Sequence, residues 1–295
     1  MTGGFDASVP NMARVYDALL GSGKDAYAAD RAEAGRLLEI YPPLTDLIRE
    51  NREFITRAVT WTAGQGTGQF IDIGCGLPVS PSVHQAARVV NPAARVAYVD
   101  TDPVVISHAR ALLATGDGVS AAGADLRDPA AVLGHPDLRA VIDPARPVCI
   151  VLGAVLHFLD ADAARAVTAG YACLLAPGSY LVISCASYDD EALAKRLAAE
   201  YTAASFHNHT REDVESFFDG LELIGPGITE AKSWRAWLPE PVPCRRGGHV
   251  LAGVGRVTMG DAPGASREGL GQPGETCPSV DVDPLRRRPS PAARG

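Results

Sequence analysis

Residues 70 to 78, Phe70-Ile71-Asp72-Ile73-Gly74-Cys75-Gly76-Leu77-Pro78, constrain this chain more than any other stretch. An apolar run contains an acid near its end, and Gly74 and Gly76 follow two apart. The pattern predicts a buried strand feeding a tight turn, with glycines where backbone must bend or approach a ligand closely. A second apolar run, Val96 to Val99, ends in Asp100 after a helix-length segment. Strand, Gly-rich turn, helix, strand and acid form the nucleotide-binding half of a Rossmann-like sheet. Asp100 is then placed to accept both hydroxyls of a ribose.

The same residues discriminate between nucleotides. A dinucleotide site asks for G-x-G-x-x-G, whose third glycine lets helix and strand pack closely. Val79 stands in that position. A pyrophosphate on this turn would also meet the Asp72 carboxylate, a like-charge clash. S-adenosylmethionine (SAM) carries an ammonium and a sulfonium and no phosphate, so an acid here attracts it. Asp72, Gly74, Gly76 and Asp100 therefore favour SAM. Two other readings stay open: an NAD(P)-dependent oxidoreductase, and a turn acid that holds no ligand.

Composition narrows the class. The net charge of −8, with a pI of about 5.4, advertises no basic patch for nucleic acid. Hydrophobic residues make up 46% of the chain, enough for a core. Six cysteines (Cys75, Cys149, Cys173, Cys185, Cys244 and Cys277) show no C-x-x-C spacing. They read as small hydrophobes in a reducing compartment, forming neither a disulfide framework nor a zinc site. No basic-then-apolar leader is visible, and no apolar run reaches the ~20 residues of a membrane span. A cytoplasmic protein without membrane partners is expected, of unspecified oligomeric state.

Along the chain, Asn11 reads as the cap of a helix over 12–20, with a stripe of Met12, Val15, Tyr16 and Leu19. Gly21-Ser22-Gly23 ends it. A second helix follows and stops at Pro42-Pro43, and a third runs over 44–61. Gly23-Lys24 ends like a phosphate loop, but Ala18 stands where that loop needs glycine, and Asp25 where it needs a hydroxyl.

Later strands are read at 119–124, 147–156, 180–184, 221–224 and 249–257. Asp125-Leu126, after the third strand, is placed to meet an adenine. The competing reading is a helix cap by Asp128 with Asp125 solvated. His157 closes the most apolar run, where open α/β sheets hold ligands. It can serve as a base, a substrate contact or a structural residue. His207 and His209 lack neighbouring ligand types, so no metal site is expected. The fold class is α/β: a Rossmann-like, doubly wound seven-stranded sheet, mostly parallel with an antiparallel last strand, preceded by N-terminal helices. From residue 261 to 295 Gly, Pro, Ser and Arg dominate, and a disordered tail is expected.

This order of motifs resembles class I SAM-dependent methyltransferases. A more particular resemblance starts at Ala13-Arg14-Val15-Tyr16-Asp17-Ala18-Leu19-Leu20-Gly21-Ser22-Gly23-Lys24-Asp25, with Ala29-Asp30-Arg31 following. It is similar to bacterial S-adenosyl methyltransferases that open with A-R-V-Y-D-x-L-L-G-G-K-D, from which Ser22 departs. Asn51-Arg52-x-Phe54, Asp100-x-Asp102-Pro103, Ala124-Asp125-Leu126 and Val155-Leu156-His157-Phe158 match as well. The resemblance covers about residues 10 to 257.

The resemblance implies SAM as cofactor and a methyltransferase activity; it supplies no substrate, and the expected acceptor is an unidentified small molecule. The alternative in another class is a non-catalytic SAM-binding sensor or partner protein. It also implies that residues 1–63 pack as a lid over the strand ends of a SAM-binding domain, 64–260. Arg14 and Lys24 are then expected to reach the cofactor carboxylate, Gly21 to let the chain turn, and Tyr16 to close the pocket. Asp102, Asp125 and Leu126 complete the expected cofactor set. His157 is the first candidate base, with Tyr16 or Asp17 behind it.

Overall fold

A computed structural model describes residues 6–236 and 247–259 of the chain. The expected tail, along with Trp237, Arg245, Arg246, Cys244 and Cys277, lies outside the described residues. Helix α1 (Met12–Leu20) starts where Asn11 Oδ1 accepts from Ala13 N and Arg14 N at 2.9 and 3.4 Å. It ends at Gly21, whose φ of 89° is left-handed. Helix α2 (Ala28–Ile40) gives way to the Pro42-Pro43 stop, and α3 (Leu44–Gly64) runs three residues beyond the expected end at 61.

Strand β1 (Gln69–Ile73) then opens the alternation. It leads to α4 (Val83–Arg88), β2 (Arg95–Asp100), α5 (Pro103–Leu112) and β3 (Val119–Gly123). Two short helices follow, α6 (Pro129–Gly134) and α7 (Pro136–Arg139), before β4 (Cys149–Gly153). Helix α8 (Ala161–Leu174), β5 (Tyr180–Ser187), α9 (Glu191–Glu200) and α10 (Arg211–Ser216) come next. Two-residue strands β6 (Glu222–Leu223) and β7 (Thr229–Glu230) precede β8 (His249–Arg256).

The sheet order is β3-β2-β1-β4-β5-β8-β6, with β7 also pairing β8. Strands β1 to β5 are parallel, and β8 is antiparallel to β5 over eight register pairs. The small β7 is the one strand added to the seven expected from the sequence. The order reverses between β1 and β4, which places the switch-point crevice at their carboxyl ends.

Side chains alternate across the sheet. Phe70 joins Val15, Leu37 and Phe54 of the N-terminal helices in one core. Ile71 and Ile73 join Val132, Leu156 and Tyr171 on the other face. The helices before β1 therefore share a core with the sheet. Their approach is close: a Cβ on Gly153, at the end of β4, would lie 2.5 Å from Ile55 Cδ1 of α3.

Arg14 was expected at the cofactor; the structure commits it elsewhere. Its Nε donates to Asp30 Oδ2 at 2.8 Å, with both side chains buried, and its Nη2 donates to Val9 O. Asp30 also accepts from Asn11 N and Tyr27 N, at 2.9 and 2.8 Å. The carboxylate thus gathers the starts of α1 and α2, and Arg14 supplies its counter-charge. Among the described residues no helix is long and apolar enough to cross a membrane. Cys149 and Cys185 are buried as expected of small hydrophobes, whereas Cys173 is exposed.

Replacing Arg14 by Ala leaves Asp30 buried without its cation, a change that costs about 3–5 kcal/mol in such pairs. Urea titrations of wild type and Arg14→Ala measure this directly. Loss of under 1 kcal/mol would show the pair to be incidental.

Candidate active site

A cavity of about 460 Å³ opens at the carboxyl ends of the strands, beneath α1 and α3. Its floor is the turn after β1. Gly74 N and Cys75 N donate to Val99 O at 2.8 and 3.1 Å, which bends the chain sharply against β2. Gly74 has φ 67°, and a Cβ there would lie 2.4 Å from Val155 Cγ1. Gly76, at φ 63°, has open space where its Cβ would be. Conformation and packing both require the first glycine; the second leaves backbone bare toward the cavity.

Asp100 Oδ2 accepts from Gly76 N at 3.1 Å, and its Oδ1 from Asp102 N at 3.0 Å. Burial raises its pKa, against those hydrogen bonds. Asp102 lines the cavity, but both its oxygens are engaged: Oδ1 caps α5 through Val104 N at 2.7 Å, and Oδ2 accepts from Asn11 Nδ2. Asp72 is buried, and its pKa is pushed up to about 6 by that burial. The Arg52 guanidinium opposes the rise and the Asp100 carboxylate adds to it.

Asp125 and Leu126 also reach the cavity. Arg127 Nε donates to both Asp125 oxygens at 3.0 Å and holds that carboxyl below its usual range. Asp128 caps α6 through Ala131 N at 2.9 Å, as the capping reading has it. Leu126 is fixed by its carbonyl, which accepts from Tyr171 Oη at 3.2 Å.

Tyr16 lines the roof. Its hydroxyl accepts from Asn51 Nδ2 at 3.1 Å, and Asn51 Oδ1 accepts from Ser184 Oγ at 2.6 Å. Ser184 Oγ in turn accepts from Ala154 N at 3.0 Å. Ala154 holds a left-handed φ of 58°, an uncommon conformation for a residue with a Cβ. Burial raises the Tyr16 pKa and keeps the phenol protonated at neutral pH.

His157 sits in a 3-10 turn after β4, buried against Phe158 and Phe206. Its Nδ1 accepts from Ala186 N at 3.4 Å. Desolvation, with His209 adding to it, pushes the pKa down to about 3, so the ring is neutral at physiological pH. His209 is itself buried, its Nε2 3.3 Å from Leu156 O. Among the described residues no group of three or more His, Cys, Asp or Glu side chains is arranged to hold a metal ion.

The cavity thus brings together Tyr16, Asp72, Gly74, Gly76, Asp100, Asp102, Asp125, Leu126 and His157. Arg14, Gly21 and Lys24 do not line it. Gly21 and Gly23, both at positive φ, turn the chain outward, and the exposed Lys24 ammonium pairs with Asp25. Residues that sequence reasoning left aside are at the cavity: Asn11, Asn51 and Arg52. Arg52 Nη2 donates to Pro81 O at 3.3 Å. The Asn51-Arg52 pair interrupting an apolar helix face was the available signal. Asp17, weighed only as a distant base, lines the cavity as well; it is 5% exposed, with the Ser22 hydroxyl donating to Oδ1 and, among the described residues, no partner for Oδ2.

This donor set fits SAM. Asp72 and the unpartnered Asp17 oxygen call for positive charge, Asp100 for hydroxyls, and Arg52 for a carboxylate. A pyrophosphate would add negative charge beside Asp72 and Asp100.

A family model described as S-adenosyl methyltransferase matches residues 2–258. A crystal structure of a candidate methyltransferase from Thermobifida fusca is similar, with 40% identity and a TM-score of 0.78, over 86% of this chain and 97% of that one. A DUF574 family protein from Streptomyces avermitilis shows 35% identity and a TM-score of 0.79, over 85% and 98%. No curated protein matches the chain.

The raised pKa of Asp72 makes stability depend on pH. Between its ordinary 3.8 and about 6 the native carboxyl keeps a proton that the unfolded chain releases. Stability therefore falls as pH rises through that window, by about 3 kcal/mol once it is passed. Asp72→Asn is expected to lack this decline. Urea melts of both proteins across the window test it, and parallel pH profiles would show Asp72 to titrate normally.

Proposed function

Because the chain belongs to the S-adenosyl methyltransferase family, with SAM as methyl donor, we propose that the turn after β1 and the ends of β2 and β3 hold that cofactor. When bound, SAM supplies an electrophilic methyl group on a sulfonium. The observation that carries the reading is the convergence of Asp72, Asp100 and the bare Gly76 backbone on one cavity.

Asp100 accepts the ribose hydroxyls, and Leu126 packs against the adenine with Asp125 at its edge. Asp72 and Asp17 balance the cofactor's positive charge. Arg52 takes the role expected of Arg14 and Lys24 and meets the carboxylate. The Ala13–Asp25 stretch forms the roof through Ala13, Tyr16 and Asp17, and Tyr16 closes it over the cofactor. Helices α1 to α3, within the expected 1–63 lid, thereby exclude water from the strand ends, which strengthens every electrostatic contact below. The acceptor is a small molecule, since a cavity of about 460 Å³ leaves limited room beside a cofactor and the net charge of −8 opposes a nucleic acid. The free cysteines suit a reducing interior such as the cytoplasm.

A cationic ligand favours the ionised Asp72. SAM affinity is therefore expected to rise with pH up to about 6, approaching tenfold per pH unit below it, and to level off above. Asp72→Asn is expected to bind more weakly and to lose the rise that ends near pH 6. Calorimetric titrations of SAM in a buffer series read both effects. Heat from NAD with none from SAM would sink the proposal.

Asp100→Ala removes hydrogen bonds to a charged acceptor and is expected to weaken SAM by about 1.5–3 kcal/mol. Asp100→Asn, which keeps one acceptor oxygen, loses less. Equal affinity for wild type and Asp100→Ala would place the ribose elsewhere.

A further inference from the structure

The end of the cavity near β4 and β5 has a different character from the end assigned to the cofactor. Phe158, Tyr188 and Tyr201 line it, together with His157 and Ala186. The rings form one cluster: His157 to Phe158 at 4.4 Å, Phe158 to Tyr201 at 6.5 Å, and Tyr201 stacked on Phe206 at 5.2 Å. Walls of this kind favour a flat ring, through stacked and edge-to-face contacts.

His157 is the polar group among them whose proton can be located. A backbone N–H only donates, so the bond from Ala186 N makes His157 Nδ1 the lone-pair nitrogen. The neutral ring then carries its proton on Nε2. Among the described residues Nε2 meets no partner, although the residue is only 6% exposed. His157 lines the cavity, so an Nε2–H without a protein acceptor is free to donate to a molecule seated there. The lone pair a base would need is already engaged at Nδ1.

We propose that this end binds a planar aromatic acceptor bearing a ring hydroxyl, ionised in the complex, with the His157 Nε2–H donating to its oxygen. This rests on reading the cavity as a methyltransferase site, and it names the acceptor class. Oxygen is favoured over nitrogen by lone-pair count. An aromatic amine or ring nitrogen has one lone pair, which a hydrogen bond from Nε2 would tie up. A phenolate oxygen accepts that bond and keeps other pairs for nucleophilic attack. On ionisation the hydroxyl proton passes to water and the oxygen keeps the bonding pair. The hydrogen bond from Nε2–H favours this anion, because bonds to charged acceptors are the stronger ones. His157 is then a positioning residue, where the sequence suggested a base.

Three probes test this on the full-length protein without added cofactor: 4-nitrophenol, 4-nitroaniline and cyclohexanol. The expected result is binding of 4-nitrophenol about tenfold or more tighter than either of the others, with its absorbance shifted toward the phenolate band. His157→Leu is expected to lose the preference and the shift while its SAM affinity, measured separately, stays at the wild-type value. His157→Gln, which restores an N–H donor, is expected to recover part of both. Nitrogen-15 NMR of the wild-type protein, which depends on no variant, is expected to show His157 protonated at Nε2. Equal binding of the three probes, an unchanged shift in His157→Leu, or a proton on Nδ1 would each overturn the proposal. Loss of SAM binding with 4-nitrophenol binding intact would instead defeat the cofactor reading and leave this site standing.

Discussion

The cavity depends on how the chain leaves β1, at a residue where left-handed backbone and close packing together favour glycine. At Gly74 two demands coincide: a left-handed backbone, and Val155 standing where a Cβ would go. Satisfying both draws the end of β1 against β2, through two N–H groups on one carbonyl, and against the chain leaving β4. Asp72, Asp100 and the bare Gly76 backbone then face one space. Their carboxyls are crowded and desolvated, so each resists ionising. That unfavourable electrostatics in the empty fold is what a cationic ligand relieves.

A second constraint ties the roof to the sheet. The path from Tyr16 through Asn51 and Ser184 to Ala154 links α1, α3, β5 and the end of β4 by side-chain and backbone hydrogen bonds. It ends on a backbone of uncommon conformation. Such a conformation persists only where its surroundings hold it. Here Ser184 does so with both its hydroxyl and its carbonyl, which accept from Ala154 N. Ala154 also begins the segment that carries His157, so the orientation of that ring depends on the same bonds.

What the sequence made legible was local. The β1 turn, the Asn11 and Asp128 caps and the positions of the strands along the chain follow from contacts a few residues apart and from periodicity. Arg14 was misplaced because its partner, Asp30, lies on another helix, and only helix packing brings the two together. Arg52 was missed because a charged side chain on a helix ordinarily points to water; here the neighbouring Asp72 gives it a task. The charge state of His157 was beyond the sequence for a similar reason. It is set by rings and backbone contributed from residues 186 to 209, distant along the chain. Caps and turns set by sequence neighbours were legible; the partners of Arg14, Arg52 and His157, supplied by distant segments, were not.

Asn11 uses both ends of one amide: its oxygen starts α1, and its nitrogen holds Asp102, whose backbone N–H in turn holds Asp100. The position of the first helix is therefore coupled by a short chain of bonds to the group assigned to the ribose. Thermodynamic reciprocity attaches a consequence. If seating an acceptor under α1 steadies that helix and tightens the hold on the cofactor by some factor, the cofactor tightens the hold on the acceptor by the same factor. Through a single amide, the two halves of the cavity would then share one binding free energy.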